Sequence, residues 1–195
     1  MSDDPYTNPG TTLLRNLAGI HDPKELEVFE ASASFRRLLE LQGDPLRGHF
    51  DSEHLKQIHR YIFQDVYDWA GHYRTVNISK PEGVWFARPE YIEPSLRRIF
   101  EELAAEQRLR GLGKKRFVAR CAYYLGEINA VHPFREGNGR AQREFVRELA
   151  LETGYAINWV GVTQAEMGAA SLRSFQKVDY SGLEQILLKA PSLFE

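Results

Sequence analysis

The sequence predicts a mainly α-helical protein built as a single domain over residues 1–195. Two observations predict the helices: apolar residues recur at spacings of three and four along most of the chain, and capping residues or prolines precede several of these runs. A third observation bears on the domain count, because no internal repeat, low-complexity tract or long linker divides the chain.

The first twenty residues are rich in turn formers and predict an arm, residues 1–20, that lies against the body. A helix follows over about residues 24–41, with apolar positions facing inward. Gly43 and Pro45 are expected to end it.

The second helix is predicted to begin after Asp51, which can cap it, and to carry apolar positions from Leu55 to Trp69. Gly71 closes this run. A third helix is predicted to start near Pro89, because proline suits the first turn of a helix.

The run over residues 114–131 has apolar residues at helical spacing and leads directly to His132. Another helical pattern begins near Gly139. Two later helices show capping-box signatures, namely Thr163 with Glu166 and Ser181 with Glu184.

Residues 74–87 depart from the helical pattern and predict a short β-hairpin. Val76 and Ile78 alternate with polar residues, a Pro-Glu-Gly turn follows at 81–83, and a second extended run begins at Val84. The alternative interpretation is a simple cover over the core.

Composition favours an ordinary soluble globular protein. Hydrophobic residues make up 43%, charged residues 27%, and the net charge is -2, which disfavours charge-driven nucleic-acid binding. No apolar run approaches the roughly 20 residues of a membrane span, and the polar start does not resemble a secretory signal. We therefore expect a cytoplasmic protein without membrane association.

Cysteine and histidine usage disfavours a zinc site. Cys121 is the only cysteine, so an intrachain disulfide is excluded and a small core residue is expected. His54 and His59 lie five residues apart, without the four-residue spacing of a helical zinc motif. They are interpreted as surface or partly packed side chains.

The stretch HPFREGNGR, residues 132–140, is the most informative part of the chain. Pro133 disfavours helical dihedrals at His132, leaving a residue that can accept a proton near neutral pH on a loop. Gly137 and Gly139 allow positive φ, so successive N–H groups can converge on an anion at the start of the next helix.

Charged residues beside this turn extend the same chemistry. Arg140 and Arg143 lie on one helical face, where they can hold further phosphate oxygens. Glu136 would repel a bare phosphate, so its position is best explained by a divalent cation. Mg²⁺ is the natural candidate, because it favours one or two carboxylates together with substrate phosphates and water.

These residues resemble the Fic family. HPFREGNGR matches every position of the Fic motif HxFx(D/E)GNGR, and Arg143 supplies the further arginine usually found after it. The resemblance runs from about Pro9 to the capped segments near the C-terminus. Over this length the chain is similar to the short bacterial Fic toxins. The resemblance implies a Fic fold, a helical bundle with a β-hairpin flap, and transfer of AMP from ATP to a hydroxyl of a target protein.

The resemblance also implies roles for individual residues. His132 would deprotonate the target hydroxyl, Phe134 would anchor the loop in the core, and Glu136 would bind Mg²⁺. The residues implied to contact ATP are Gly137, Asn138, Gly139, Arg140, Arg143 and, from the flap, Lys80. Those implied to pair with the target strand are Val76, Asn77, Ile78 and Ser79. Pro81 replaces a glycine common in relatives and lacks an N–H donor.

The resemblance further implies partners. Many Fic proteins carry an inhibitory pattern [S/T]xxxE[G/N]; only Glu82 and Glu136 precede Gly or Asn here, and neither fits it. The class inhibited in trans by a small antitoxin is therefore expected. The B subunit of DNA gyrase and its counterpart in topoisomerase IV are the expected targets.

Two alternatives remain open from the sequence, and a third is disfavoured. The chain could be a translocated effector that modifies host GTPases, or a noncatalytic nucleotide-binding or partner-binding module. A Doc-type kinase is disfavoured, because Gly139 stands where those relatives usually have lysine.

Overall fold

The computed structural model describes residues 4–79, 83 and 85–189. Within these ranges it contains seven α-helices and one short 3₁₀ helix, Gln107–Leu109, which confirms the mainly α prediction. The helices are α1 Pro23–Gly43, α2 Ser52–Phe63, α3 Pro89–Ala105, α4 Lys114–Val131, α5 Asn138–Glu152, α6 Gln164–Lys177 and α7 Ser181–Lys189.

Helix α5 forms the centre of the bundle. Ten of its 15 residues are buried, including Phe145, Val146 and Leu149. Helices α2 and α4 pack on either side of it, α1 covers α2, and α3, α6 and α7 pack on α4. The motif loop joins α4 to α5 and therefore leads directly into the most buried helix.

Polar caps fix several helix starts. The carboxylate of Asp51 accepts a hydrogen bond from His54 N at 2.9 Å, and Thr163 and Glu166 form the predicted capping box. The prediction for Ser181 was wrong by one residue. Ser181 lies inside α7, and its N–H donates to the Asp179 carboxylate at 2.9 Å.

Helix α2 ends at Phe63 rather than continuing to Trp69 as predicted. Val66 and Trp69 are buried nonetheless, from a segment of consecutive turns in which Val66 N bonds to Phe63 O at 2.9 Å. An inward apolar side chain can come from a turn as well as from a helix, so spacing alone did not mark where the helix ends.

The predicted hairpin at residues 74–87 is not confirmed. Within the described part of this segment the chain shows one antiparallel bridge, Ser79 with Trp85, and a bond of 3.3 Å from Phe86 N to Ile78 O. Residues 80–82 and 84, with Lys80 among them, lie outside the described residues. The next carbonyl of a longer ladder, Val76 O, instead accepts from the Arg74 side chain at 2.7 Å.

The arm contacts the body at several points. Tyr6 is buried, with its ring edge-on to Trp69 at 5.4 Å between centroids. Thr75 N donates to the Tyr6 hydroxyl at 3.1 Å, and Leu17 N donates to Val66 O at 2.8 Å. Among the described helices, none combines the length and apolar character that crossing a membrane requires.

Candidate active site

Phe134 and Asn138 hold the motif loop in shape. The Phe134 ring is fully buried. The Asn138 side chain accepts from Phe134 N at 2.8 Å and donates to Phe134 O at 2.7 Å. The Asn138 amide therefore closes the loop, and any contact of Asn138 with phosphate falls to its backbone N–H at the start of α5.

His59 packs against the motif loop and supports it. Its ring stacks on Phe134 at 3.8 Å, Gly71 N donates to its Nδ1 at 2.9 Å, and its Nε2 lies 3.0 Å from the carbonyl of Glu136. Since a carbonyl only accepts, Nε2 carries the proton. Burial lowers the pKa of His59 to about 3, so the ring is neutral.

The prediction that His54 and His59 lie at the surface or are partly packed was therefore wrong. Both are buried, and His54 Nε2 lies 2.9 Å from the buried Glu148 carboxylate. The available signal was position, because both histidines fall on the same helical stripe as Leu55 and Ile62.

His132 leaves helix α4 in an unusual conformation. Its φ of 51° and ψ of 64° are left-handed rather than the extended values expected before Pro133. Its Nδ1 lies 3.3 Å from the carbonyl of Asn129, so Nδ1 carries the proton and Nε2 holds the basic lone pair. The imidazole stacks on Phe86 at 3.8 Å between centroids.

Gly137 is required by both conformation and space. Its φ is 80°, and a Cβ added there would lie 2.2 Å from two ring atoms of Phe63. Its N–H donates to Glu136 Oε1 at 2.8 Å. Helix α5 begins at the next residue, so its free N–H groups open at this turn, as the sequence predicted.

The two arginines of α5 have different surroundings. Arg140 donates to Glu30 at 2.5 Å and to Ser34 Oγ at 2.9 Å. Arg143 folds back over the position of Gly139, and its guanidinium has no hydrogen-bonding or ionic partner among the described residues.

Arg143 is therefore a cation with no anionic partner in the described part of the chain. It is half-buried, and burial together with the nearby charge of Arg140 lowers its pKa. A desolvated cation without a partner is unfavourable, so a bound anion beside it would be strongly stabilised.

Glu136 is the loop residue that the sequence predicts to hold Mg²⁺, and that role stays a prediction. Its side chain is 46% exposed at the mouth of the loop. The described residues hold no cluster of three or more His, Cys, Asp or Glu side chains suited to a metal. A single carboxylate is what Mg²⁺ uses when phosphates and water complete its shell.

Sequence reasoning missed three residues that support the loop: Glu30, His59 and Arg74. Glu30 bonds to Arg140 across 110 residues, and Arg74 bonds to His132 O across 58 residues. No local pattern marks such pairs, because folding alone brings them together.

Comparison with known proteins supports the motif assignment. The Fic/DOC family model matches residues 49–150. The chain is 47% identical over 174 residues to protein adenylyltransferase VbhT of Bartonella schoenbuchensis, covering 89% of this chain but 36% of VbhT. It is 40% identical to the probable protein adenylyltransferase Fic of Salmonella typhimurium, covering 97% of this chain and 92% of that protein.

The fold is also similar to that of solved structures. One is BepC, a VirB-translocated effector protein of Bartonella tribocorum with bound AMPPNP, at a TM-score of 0.89 and 25% identity, covering 97% of both chains. The chain therefore belongs to the Fic/DOC family, and both curated relatives given above are named protein adenylyltransferases.

Proposed function

We propose that this protein is a cytoplasmic adenylyltransferase that transfers AMP from ATP to a hydroxyl of a target protein. One observation carries the proposal: the Arg143 guanidinium, which has no partner among the described residues, lies over the glycine turn at the start of α5, and His132, whose Nδ1 is bonded to the Asn129 carbonyl, begins the same loop. An anion site and a general base in one loop suit phosphoryl chemistry.

The residues divide the reaction between them. Nε2 of His132 takes the proton of the target hydroxyl, whose oxygen attacks the α-phosphorus as the bond to pyrophosphate breaks. Backbone N–H groups of Asn138 and Gly139 hold phosphate oxygens, and that of Gly137 joins them by exchanging its bond to Glu136 Oε1 for one to phosphate. Arg140 and Arg143 stabilise the departing pyrophosphate. Mg²⁺ held by Glu136 would neutralise phosphate charge.

The segment after Arg74 supports target docking. Asn77 and Ser79 are exposed, whereas Val76 and Ile78 are half-buried, so the side chains of Asn77 and Ser79 are accessible to a target segment. Trp85, which bridges Ser79, is 64% exposed and offers an apolar surface beside those side chains. A role for Lys80 in holding the nucleotide belongs to the same proposal.

For the target we propose the B subunit of DNA gyrase and its counterpart in topoisomerase IV. For the regulator we propose a small antitoxin whose glutamate pairs with Arg143, the guanidinium that has no partner among the described residues. A second candidate function is that of a translocated effector acting on host GTPases. It is favoured by the similarity to BepC, which is named a VirB-translocated effector.

Labelled ATP tests the chemistry. The protein is incubated with Mg²⁺ and ATP labelled at the α- or the γ-phosphate in a bacterial lysate, beside His132→Ala and the control His21→Ala, which changes an exposed histidine. We expect protein label from the α position only, lost in His132→Ala and kept in His21→Ala.

The other outcomes distinguish the alternatives. Label from the γ position would identify a kinase, and label retained by His132→Ala would remove that residue from its role. If ATP binds but no protein is labelled, the experiment is repeated with a lysate of eukaryotic cells. Label there would mean that the target was absent from the bacterial lysate, whereas no label in either lysate would favour the noncatalytic module.

A further inference from the structure

Arg74 is a buried cation whose side-chain hydrogen bonds to described residues all go to backbone carbonyls. It is 2% exposed, and no described acidic side chain pairs with it. Burial lowers its pKa to about 10, which still leaves the guanidinium protonated at neutral pH. A buried charge must be satisfied in another way, and here backbone carbonyls satisfy it.

The first set of carbonyls lies at the end of α4. Arg74 Nε donates to His132 O at 2.8 Å, Nη2 donates to Val131 O at 3.2 Å, and its backbone N donates to Pro133 O at 2.9 Å. These three consecutive carbonyls surround the left-handed backbone of His132. A non-glycine residue keeps that conformation only where its surroundings impose it.

The second set lies on the two segments that flank the Ser79–Trp85 bridge, one before Ser79 and one after Trp85. Nη1 donates to Val76 O at 2.7 Å on the first flanking segment, and Nη2 donates to Ala87 O at 2.5 Å on the second. The residue before Ala87 is Phe86, whose ring stacks on the His132 imidazole. The Arg74 side chain thus connects both flanking segments to His132, the residue proposed as general base.

We propose that Arg74 is a positioning residue that couples target docking to catalysis. By holding both flanking segments and the His132 carbonyl, Arg74 fixes the distance between the docked target hydroxyl and His132 Nε2. The catalytic part of this inference rests on the proposed function. Only arginine suits the task, because its planar fork of five N–H donors reaches four carbonyls at once, which a lysine ammonium cannot do.

A test of the coupling needs neither ATP nor target. Amide hydrogen exchange at Phe86 and the ¹⁵N NMR signals of the His132 ring are compared between wild type and Arg74→Lys. The control is Arg147→Lys, which changes another buried arginine, bonded to Glu144 and to Leu41 O in α1. We expect faster exchange, by about tenfold or more, and loss of the single Nδ1–H form of His132 in Arg74→Lys only.

Either of two results overturns the coupling. One is the same Phe86 exchange and the same His132 signals in Arg74→Lys as in wild type. The other is the same change in Arg147→Lys at an equal loss of thermal stability. If Arg74→Lys does not fold, Arg74→Gln, which keeps two N–H donors, is measured in its place.

Kinetics test the catalytic part, with purified gyrase B subunit as the probe. In Arg74→Lys we expect kcat for AMP transfer to fall about 100-fold and KM for the probe to rise, while binding of a nonhydrolysable ATP analogue stays within about twofold of wild type. Unchanged kcat and KM would overturn the inference. If wild type does not modify the probe, the proposed target fails, while exchange and the His132 signals still decide on Arg74.

Discussion

At the scale of single residues, the loop depends on side chains held in one protonation state. His59 accepts from Gly71 N and donates to Glu136 O, so its neutral ring connects the segment after α2 to the proposed Mg²⁺ ligand. Protonation would place a hydrogen on Nδ1, where the Gly71 N–H already points. His59 therefore makes the stability of the loop depend on pH.

The pKa of His59 fixes the direction of that dependence. It is lowered to about 3 in the folded protein from an ordinary 6.5, so below pH 6.5 the unfolded chain binds the proton more tightly. The contribution of His59 to stability is complete above pH 6.5 and is lost as the pH falls toward 3. Between pH 6.5 and 4 the loss should be on the order of 3 kcal/mol.

Urea unfolding at several pH values measures this effect, with His59→Gln as the variant that cannot titrate. We expect the free energy of unfolding of wild type to fall more steeply with acid than that of His59→Gln. Other histidines, including His54, are common to both proteins and cancel in the comparison. Parallel pH profiles would show that His59 is not the group responsible.

At the scale of elements, helix α5 is bounded by two left-handed glycines that differ in their surroundings. Gly137 has a φ of 80° and Gly154 a φ of 82°. A Cβ at Gly137 would lie 2.2 Å from ring atoms of Phe63, whereas a Cβ at Gly154 meets nothing within 4 Å. The pair therefore separates backbone strain from crowding.

Alanine at each glycine tests this separation. Gly154→Ala should cost about 1 kcal/mol, from the left-handed conformation alone. Gly137→Ala should cost about 3 kcal/mol, because it adds overpacking against Phe63, and should also weaken ATP binding. Chemical denaturation and a nucleotide-binding titration measure both, and equal costs at the two sites would contradict the crowding argument.

At the scale of the whole molecule, the arm and the motif loop lie together although they are distant in sequence. Arg135 of the loop donates to Asp4 at 2.9 and 3.0 Å across 131 residues. Tyr6, two residues after Asp4, is buried against Trp69. The arm is therefore part of the support of the site.

Removal of the Tyr6 ring tests the role of the arm. Tyr6→Ala should destabilise the protein by about 3 kcal/mol and, by releasing Asp4 from Arg135, should lower the rate of AMP transfer. Leu17→Ala is the control, because Leu17 is an arm residue that is 58% exposed; its cost should stay within about 0.5 kcal/mol. Equal stability and transfer in the two variants would show that the arm does not support the loop.

Sequence predicted those features whose cause is local. The helix over Lys114–Val131, the capping box of Thr163 and the glycine turn before α5 follow from residues within a few positions of one another. The end of α2 was misplaced, because Val66 and Trp69 satisfy a helical spacing while lying in turns. The hairpin prediction is not confirmed by the described residues, and local spacing gave no sign that the Arg74 side chain would bond to the Val76 and Ala87 carbonyls.

The sequence by itself determined the chemistry of the loop, because the motif order His132 to Arg140 and the conformational freedom of its glycines are properties of adjacent residues. Only the tertiary structure decided how these groups are held. It paired Arg140 with Glu30, left Arg143 without a partner among the described residues, and set Arg74 against the His132 carbonyl. The physical reason is that burial and hydrogen bonding between distant segments fix charge and orientation, and no local pattern encodes them.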